Sequence, residues 1–389
     1  MGLLEPLGQS QVLGYLRVLS RGHRITVVSF EKPAELADTA AVAALRAECE
    51  AHGITWRPRR YHHRPRLLAT GWDLLVYTCT AIVEYRRIRA DVIHARGYIS
   101  STVASMIKMM FGVPFIFDMR AFWPDEMIVA GRLRRGSLVH RLLMWAEKWC
   151  LRQSLAVVSL TEAGVEHMHR VYGPAARDVR FAVVPTCVDL AKFRPAPQPA
   201  RELIVVGSVG SVLTGWFRLD WLMSFFRALS VAEPSVQVRI VTREDENALR
   251  RRAAEAGIPA DRLEVFGVPS SGVPQAVAGF SAAAMFFETG IAKLGSCPTR
   301  MGEILAAGLP VVANPGVGDV GEIIERYRVG VLVTENTDES MRSAVAALKA
   351  LLNDPDLSAR CRRAAEDWFS LEKGAARYDE LYALAKRGR

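Results

Sequence analysis

Short β-branched apolar runs alternate with amphipathic stretches along this chain, and the alternation begins afresh partway through. Residues 25–30 (ITVVSF), 54–57, 92–95, 115–117 (FIF), 155–160 and 181–184 read as strands, and 34–52, 67–89, 138–153 and 162–171 as the helices among them. The Pro-rich run RPAPQPARE, residues 194–202, reads as a semi-rigid linker. Beyond it the pattern restarts, with strands at 203–206, 238–241, 263–266, 282–287 and 309–313 and a helical stretch at 274–280. Such alternation is the signature of parallel sheets covered on both faces, with ligands at the carboxyl ends of the strands. The expected fold is therefore α/β, with two Rossmann-like doubly wound domains: residues 1–193, the linker 194–202, residues 203–366, and a last helix in 367–389. The first domain opens oddly. Its loop and helix (Gly8, Gln9, Ser10, then Val12 to Leu19) follow only a handful of residues, so the strand that should precede them is missing, and a start upstream of Met1 is expected.

The 389 residues suffice for two ordinary domains, and half of them are hydrophobic. No apolar run reaches the ~18 to 20 residues of a spanning helix. The nearest, 67–83, is interrupted by Gly71 and Asp73 and reads as a buried or surface-docked helix. No basic-then-apolar leader opens the sequence. Six scattered cysteines, without CxxC or zinc-type spacing, favour a reducing, cytoplasmic setting and no metal. The net charge of +9 is uneven: residues 1–197 hold 27 Lys and Arg against 17 Asp and Glu, whereas 198–389 hold 23 against 24. Clusters such as Arg57, Arg59, Arg60, Arg64 and Arg66, then Arg86, Arg87 and Arg89, then Arg132, Arg134 and Arg135 suit anionic lipid at the inner face of a membrane or a diphosphate-bearing acceptor. An ordinary solvated surface is the alternative. Nucleic acid is disfavoured, because no binding module or stacking aromatics accompany the basic residues.

Chemistry concentrates in residues 286–324, FFETGIAKLGSCPTRMGEILAAGLPVVANPGVGDVGEII. A loop with Lys293, Gly295 and Ser296 precedes a helix that has Pro298 near its first turn and Gly308 just past its end. Amides around Thr299, Arg300 and Met301 are then left to face an anion such as phosphate. A turn further on, Glu303 can accept two hydroxyl hydrogen bonds from a ribose or a sugar. Upstream, Gly207, Ser208 and Gly210 lie in a small-residue loop that lets amides approach a phosphate. Arg218, Arg243 and Lys293 are three candidates to neutralise a diphosphate. Phosphate donors beside a hydroxyl acceptor suggest a nucleotide sugar. In the first half, His94 and Arg96 end one strand, and Asp118 and Arg120 end another. His94 has a plain alternative as a neutral strand-end imidazole, and Asp118 with Arg120 as an ion pair. Two motifs mislead: GVGDVG at 316–321 fits GxGxxG but comes late in its domain, and Asp354-Pro355-Asp356 is a formal DxD that reads as a turn. No Walker lysine loop, HExxH or GxSxG occurs.

The 286–324 stretch resembles the donor site of the retaining family 4 glycosyltransferases (the group 1 domain), whose GT-B fold has two Rossmann-like domains facing across a cleft. GLLEPLGQSQVLGYL at the start resembles the acceptor-side entry of the same bacterial enzymes, and WFSLEKGAARYDELYALAKR resembles their closing helix, which crosses back to the first domain. Val188, Asp189 and Phe193 match the family's V-x-N-G-V-D-x-x-x-F, with Thr186 and Cys187 in place of Asn-Gly. The resemblance implies transfer of a hexose from a nucleoside-diphosphate sugar, with retention and without metal or cofactor, to a lipid-linked or cell-surface saccharide, as in polysaccharide biosynthesis. It implies Gly8, Gln9 and Ser10 on the acceptor side, and Gly207, Ser208, Gly210, Arg218, Arg243, Lys293, Gly295, Ser296, Pro298, Thr299, Arg300 and Glu303 around the donor. Where relatives aim a histidine at the reacting carbon, this chain offers His94, Asp118 and Arg120. Of the family's two glutamates eight residues apart, Glu303 is present for the ribose and Gly295 stands in place of the one for the sugar. A GT-B epimerase acting on the nucleotide sugar, or a non-catalytic scaffold in polysaccharide assembly, are the other readings.

Overall fold

The computed structural model describes residues 2–62, 66–195 and 204–387; Arg64 and linker residues 196–202 lie outside them. The chain divides into two compact units, the first of residues 1–160, 165–184 and 371–389, the second of 161–164 and 185–370.

In the first unit six short strands are paired in parallel: β1 (Ile25–Glu31), β2 (Ile54–Arg60), β3 (Ile93–Arg96), β4 (Phe115–Asp118), β5 (Ala156–Ser159) and β6 (Phe181–Val183). They form two sheets, β1-β2 and β3-β4-β5-β6, and no described strand joins β1 to β3. β4 and β5 are buried along their whole length, as their unbroken apolar sequences require, whereas β1 and β3 are half-buried. Two local expectations are corrected. The 34–52 helix is broken into Pro33–Ala37 and Thr39–Ala51, because the Asp38 carboxylate accepts the Ala41 amide at 2.9 Å and caps a new helix. Gly8, Gln9 and Ser10 do not form a loop: the chain is helical from Pro6, with a π turn at Gln9–Leu13 between α-helical Pro6–Gly8 and Gly14–Leu19. This entry is pinned by Glu31 at the end of β1, which is fully buried and accepts the Leu3 amide at 2.8 Å and the Leu4 amide at 3.1 Å. The last helix, Leu371–Arg387, belongs to this unit and sets the Tyr378 ring edge-on to Tyr15 at 5.4 Å.

The second unit carries β7 (Val205–Val209), β8 (Gln237–Val241), β9 (Leu263–Phe266), β10 (Ala282–Met285), β11 (Val311–Ala313) and β12 (Gly330–Leu332). All pair in parallel in the order β12-β11-β10-β7-β8-β9, which is the doubly wound order with its reversal between β7 and β10. One continuous core spans the unit, from Val205 through Phe225, Phe286 and Val312 to Phe369. Gly207 and Ser208, expected in a loop, lie inside β7 and are buried. Gly207 is there for packing, since a Cβ would run into the Phe280 ring. The loop itself begins at Gly210, at φ +92°. The Thr299–Ala306 helix ends as its sequence indicates: Gly308 is left-handed at φ +76°, with Gly308 N–H donating to Leu305 and Leu309 N–H to Ile304. Strand β11 starts at Val311, two residues after the expected start.

Candidate active site

The reversal between β7 and β10 fixes where the second unit can bind a ligand, because the two neighbouring strands send their following loops to opposite sides and leave a crevice. After β7 come Gly210 and Ser211; after β10 come Phe286 to Ser296. Arg300, on the first turn of the Thr299–Ala306 helix, lies against this crevice. Its guanidinium donates to the Ser211 carbonyl at 3.1 Å, and its carbon stands 5.3 Å from the Phe217 ring centre and 5.2 Å from that of Phe287. The Arg300 side chain also explains Gly210, where a Cβ would come within 2.9 Å of Nη2. Burial draws the Arg300 pKa down to about 10, while Glu303 and Glu244 hold it up, so it remains a cation near neutrality. Its Nη1 is buried with no partner among the described residues. Burial raises the Glu303 pKa and the Arg300 charge opposes this, so the two residues form one electrostatic unit.

Segment 216–218 closes the same crevice. Arg218 N–H donates to the Phe286 carbonyl at 3.0 Å, Glu288 N–H donates to the Trp216 carbonyl at 3.0 Å, and the Phe217 and Phe287 rings meet edge-on at 5.5 Å. Lys293 Nζ sits 3.9 Å from the Trp216 ring centre. Arg218 pairs with Glu288 at 3.3 Å and lies over Trp221 at 4.7 Å. Asn314, nearly fully buried at the end of β11, clamps Phe287 by accepting its amide at 2.8 Å and donating to its carbonyl at 3.0 Å. Trp216, Phe217, Phe287 and Asn314 were not singled out from the sequence. An aromatic pair beside a lone Arg in GWFR was the available signal.

The other candidates of this unit are placed as follows. Ser296 Oγ donates to the Ala292 carbonyl, Gly295 is buried, and Pro298 is the helix N-cap residue. Thr299 opens the helix, but the Met301 amide already donates to the Pro298 carbonyl at 3.0 Å. Arg243 is exposed and donates to the Val268 carbonyl at 3.1 Å, whereas Lys293 and Arg300 are held on aromatic rings. Cys297, pushed up to about 12 by burial, is a protonated thiol whose sulfur accepts the Thr186 amide. The GxGxxG run is a packing device: a Cβ at Gly318 would strike the Ser296 carbonyl and Thr161, and Asp319 accepts the Glu162 and Ala163 amides at 2.9 Å each. In the formal DxD, Asp354 accepts the Asp356 amide and pairs with Arg360 at 2.8 Å.

The first unit gathers its strand-end residues around Asp118, which has no exposed surface. Its Oδ2 accepts from Arg96 at 3.0 Å and Tyr378 at 3.2 Å and lies 3.3 Å from His94 Nε2; its Oδ1 accepts from Arg120 at 3.5 Å. Burial by itself would raise the Asp118 pKa, but Arg120, Arg96 and His94 together hold it well below the usual carboxylate range. The second His94 nitrogen, Nδ1, is 2.7 Å from the Tyr382 hydroxyl, and Arg96 also reaches Gln11 at 3.4 Å. Gln9 and Ser10 are exposed nearby in sequence, with Ser10 Oγ donating to the Pro6 carbonyl at 3.0 Å, while Gly8 is buried against Gly2. Tyr378 and Tyr382 come from the last helix and were not picked out from the sequence.

Comparison with known proteins identifies the architecture. A glycosyl transferase 4-like domain model matches residues 14–187, and a model for glycosyl transferases group 1 matches residues 203–354. The chain belongs to the group 1 glycosyltransferases: it is a sugar-transferring enzyme of the GT-B fold, with two Rossmann-like units. Similar solved structures include Anabaena HepE in complex with UDP (16% identity, TM-score 0.68, 97% of each chain covered). A glycosyltransferase from Rickettsia africae is similar as well (15% identity, TM-score 0.69, 97% of this chain and 95% of that one). So is sucrose-phosphate synthase from Thermosynechococcus elongatus (17% identity, TM-score 0.61, 94% of this chain and 99% of that one). Among curated protein sequences none matches this chain.

Proposed function

We propose that this enzyme moves a hexose, with retention, from a nucleoside-diphosphate sugar to a lipid-linked or cell-surface saccharide at the inner face of a membrane. One observation carries the donor side: Arg300 is a half-buried cation lying against two rings, beside the Gly210 turn at the strand reversal, with its buried Nη1 unpartnered among the described residues. A buried donor without a partner costs about 1 to 3 kcal/mol, and a diphosphate oxygen would relieve that cost. HepE has been crystallised with UDP and with UDP-glucose, which supports the same class of donor here.

The bond to be broken joins the anomeric carbon to a phosphate oxygen, so negative charge grows on the departing diphosphate. In this reading Arg300, Lys293 and Arg218, with the positive end of the Thr299–Ala306 helix, stabilise that charge. Glu303 accepts the ribose hydroxyls. In this reading His94, Asp118 and Arg120 are the first unit's contribution to catalysis. Asp118, which solvent does not reach, fixes the imidazole and both arginines from behind.

The test is a thermal-shift and calorimetric titration with UDP, GDP and ADP. A binder stabilises the fold by mass action, and Arg300→Ala and Glu303→Ala should each weaken the preferred nucleotide roughly 10- to 100-fold. Failure of all three nucleotides to bind the wild type would overturn the reading.

A further inference from the structure

From the Arg66–Ile88, Tyr98–Phe111 and Leu138–Gln153 helices of the first unit, we infer a docking face for an anionic lipid surface. The three helices pack side by side. Tyr85 lies tilted against Phe111 at 5.1 Å, Trp149 Nε1 donates to Ser105 at 2.7 Å, and Lys108 donates to the Gln153 carbonyl at 2.6 Å. Their outer surfaces are apolar to an unusual degree. Trp72 is 56% exposed, Val83 61%, Met109 61%, Leu138 81%, Leu142 62% and Trp145 60%. Of the 20 large hydrophobic residues exposed among the described residues, 17 belong to the first unit and three, Leu213, Val231 and Ile291, to the second. Leu138, Leu142 and Trp145 follow one another at four and three residues, so they stand on one face of their helix.

The charges on the same surface select the partner. Arg86 and Arg87 end the first helix and Arg89 follows it, Arg134 precedes the third, and Arg141, Lys148 and Arg152 lie along it, all exposed. The three helices contain only three acidic residues, Asp73, Glu84 and Glu147, and each is buried. Asp73 is bound by His62 at 2.6 Å, Glu84 by Arg57 at 3.2 Å, and Glu147 accepts from the Tyr172 hydroxyl at 2.6 Å. The three helices therefore offer Trp, Leu, Met, Arg and Lys to the outside and no exposed carboxylate. An amphipathic surface of this composition lies in the head-group region of a bilayer, with indole and aliphatic groups inserted and the bases on lipid phosphates. No helix of the described residues is long and apolar enough to cross a membrane, so the mode is interfacial. This inference deepens the acceptor part of the proposed function, since a lipid-linked saccharide presents itself at such a surface.

Sedimentation with sucrose-loaded vesicles tests the face without requiring transfer. Vesicles of phosphatidylcholine with one-third phosphatidylglycerol should bind the full chain at least roughly tenfold better than phosphatidylcholine alone, and less well as NaCl rises. The double substitution Leu142→Glu/Trp145→Glu, and separately Arg134→Glu/Arg141→Glu, should each reduce binding at least roughly tenfold, whereas Val231→Glu on the second unit should not. Leu138→Ser, at the most exposed of these positions, gives a second apolar variant that leaves the core untouched. UDP titration of each variant keeps the two readings apart: lost vesicle binding with intact nucleotide binding supports the face. Equal binding to neutral vesicles, no binding at all, or binding unaffected by these variants would overturn it. So would a concentration-dependent dimer abolished by the same substitutions, because the face would then belong to a second copy of the chain.

Discussion

The two units are nearly equal in length and are built to opposite ends. Counted by unit, the first carries 30 Lys and Arg against 18 Asp and Glu, net +12, and the second 20 against 23, net −3. In the second, one sheet of six strands supports one core, and the crevice cations Lys293 and Arg300 rest on aromatic rings. In the first, the strands fall into two sheets, a buried ionic cluster sits at the strand ends, and apolar side chains face outward. The difference teaches that two units of one parallel α/β class need not share electrostatics.

Breaking the ionic cluster should have the largest effect on this contrast. Asp118→Ala leaves the half-buried Arg96 and Arg120 without their fully buried carboxylate, and denaturant unfolding should register a loss of about 3 to 5 kcal/mol. A loss below about 1 kcal/mol would show that the arginines find other partners. The sign with pH follows from the lowered pKa: the Asp118 contribution is present above the unfolded carboxylate range near pH 3.9 and is lost as pH falls toward the folded value. Acid should therefore unfold the wild type more steeply than the variant.

Glu147 has the opposite sign. Burial raises it to about 7, against the hydrogen bonds from Tyr172 and Tyr98. Its favourable state is protonated, fully so below its unfolded pKa, and that stability is lost as pH rises through about 7. Glu147→Gln, which still accepts from Tyr172, should match the wild type at pH 4 and exceed it at pH 8 by about 3 kcal/mol. Parallel melting-temperature curves against pH would discard this assignment.

Smaller effects sharpen the second unit. Arg300→Lys should recover little of the nucleotide affinity lost in Arg300→Ala, because an ammonium cannot span two rings and donate to Ser211 at once. Full recovery would mean that charge alone suffices. Smallest, Trp216→Leu should weaken nucleotide binding about two- to fivefold, the scale of an exposed cation–π contact of roughly 0.5 to 1 kcal/mol, by releasing Lys293. An equal effect in a Lys293→Ala background would show that the ring acts by another route.

Much of this was legible in the chain. The parallel strands, the Leu138–Gln153 helix, the Gly308 cap and the position of Glu303 follow from local patterns of three to five residues. Gly207 and Ser208 misled because small residues serve equally for a phosphate loop and for a strand packed under Phe280. The helix break at Asp38 turned on a side-chain cap, and the helical start at Pro6 brings Gly8 against Gly2, a contact no local pattern shows.

Sequence alone determined the class of fold and the family, because hydrophobic periodicity and turn chemistry act between neighbours in the chain. Tertiary structure decided which charges are partners. Arg300 meets Ser211 from 89 residues away, and His94 meets Tyr382 from 288 away. Whether an arginine is solvated, paired, or held against two rings with a donor to spare depends on the dielectric and the atoms around it, and those are set only when distant segments pack together.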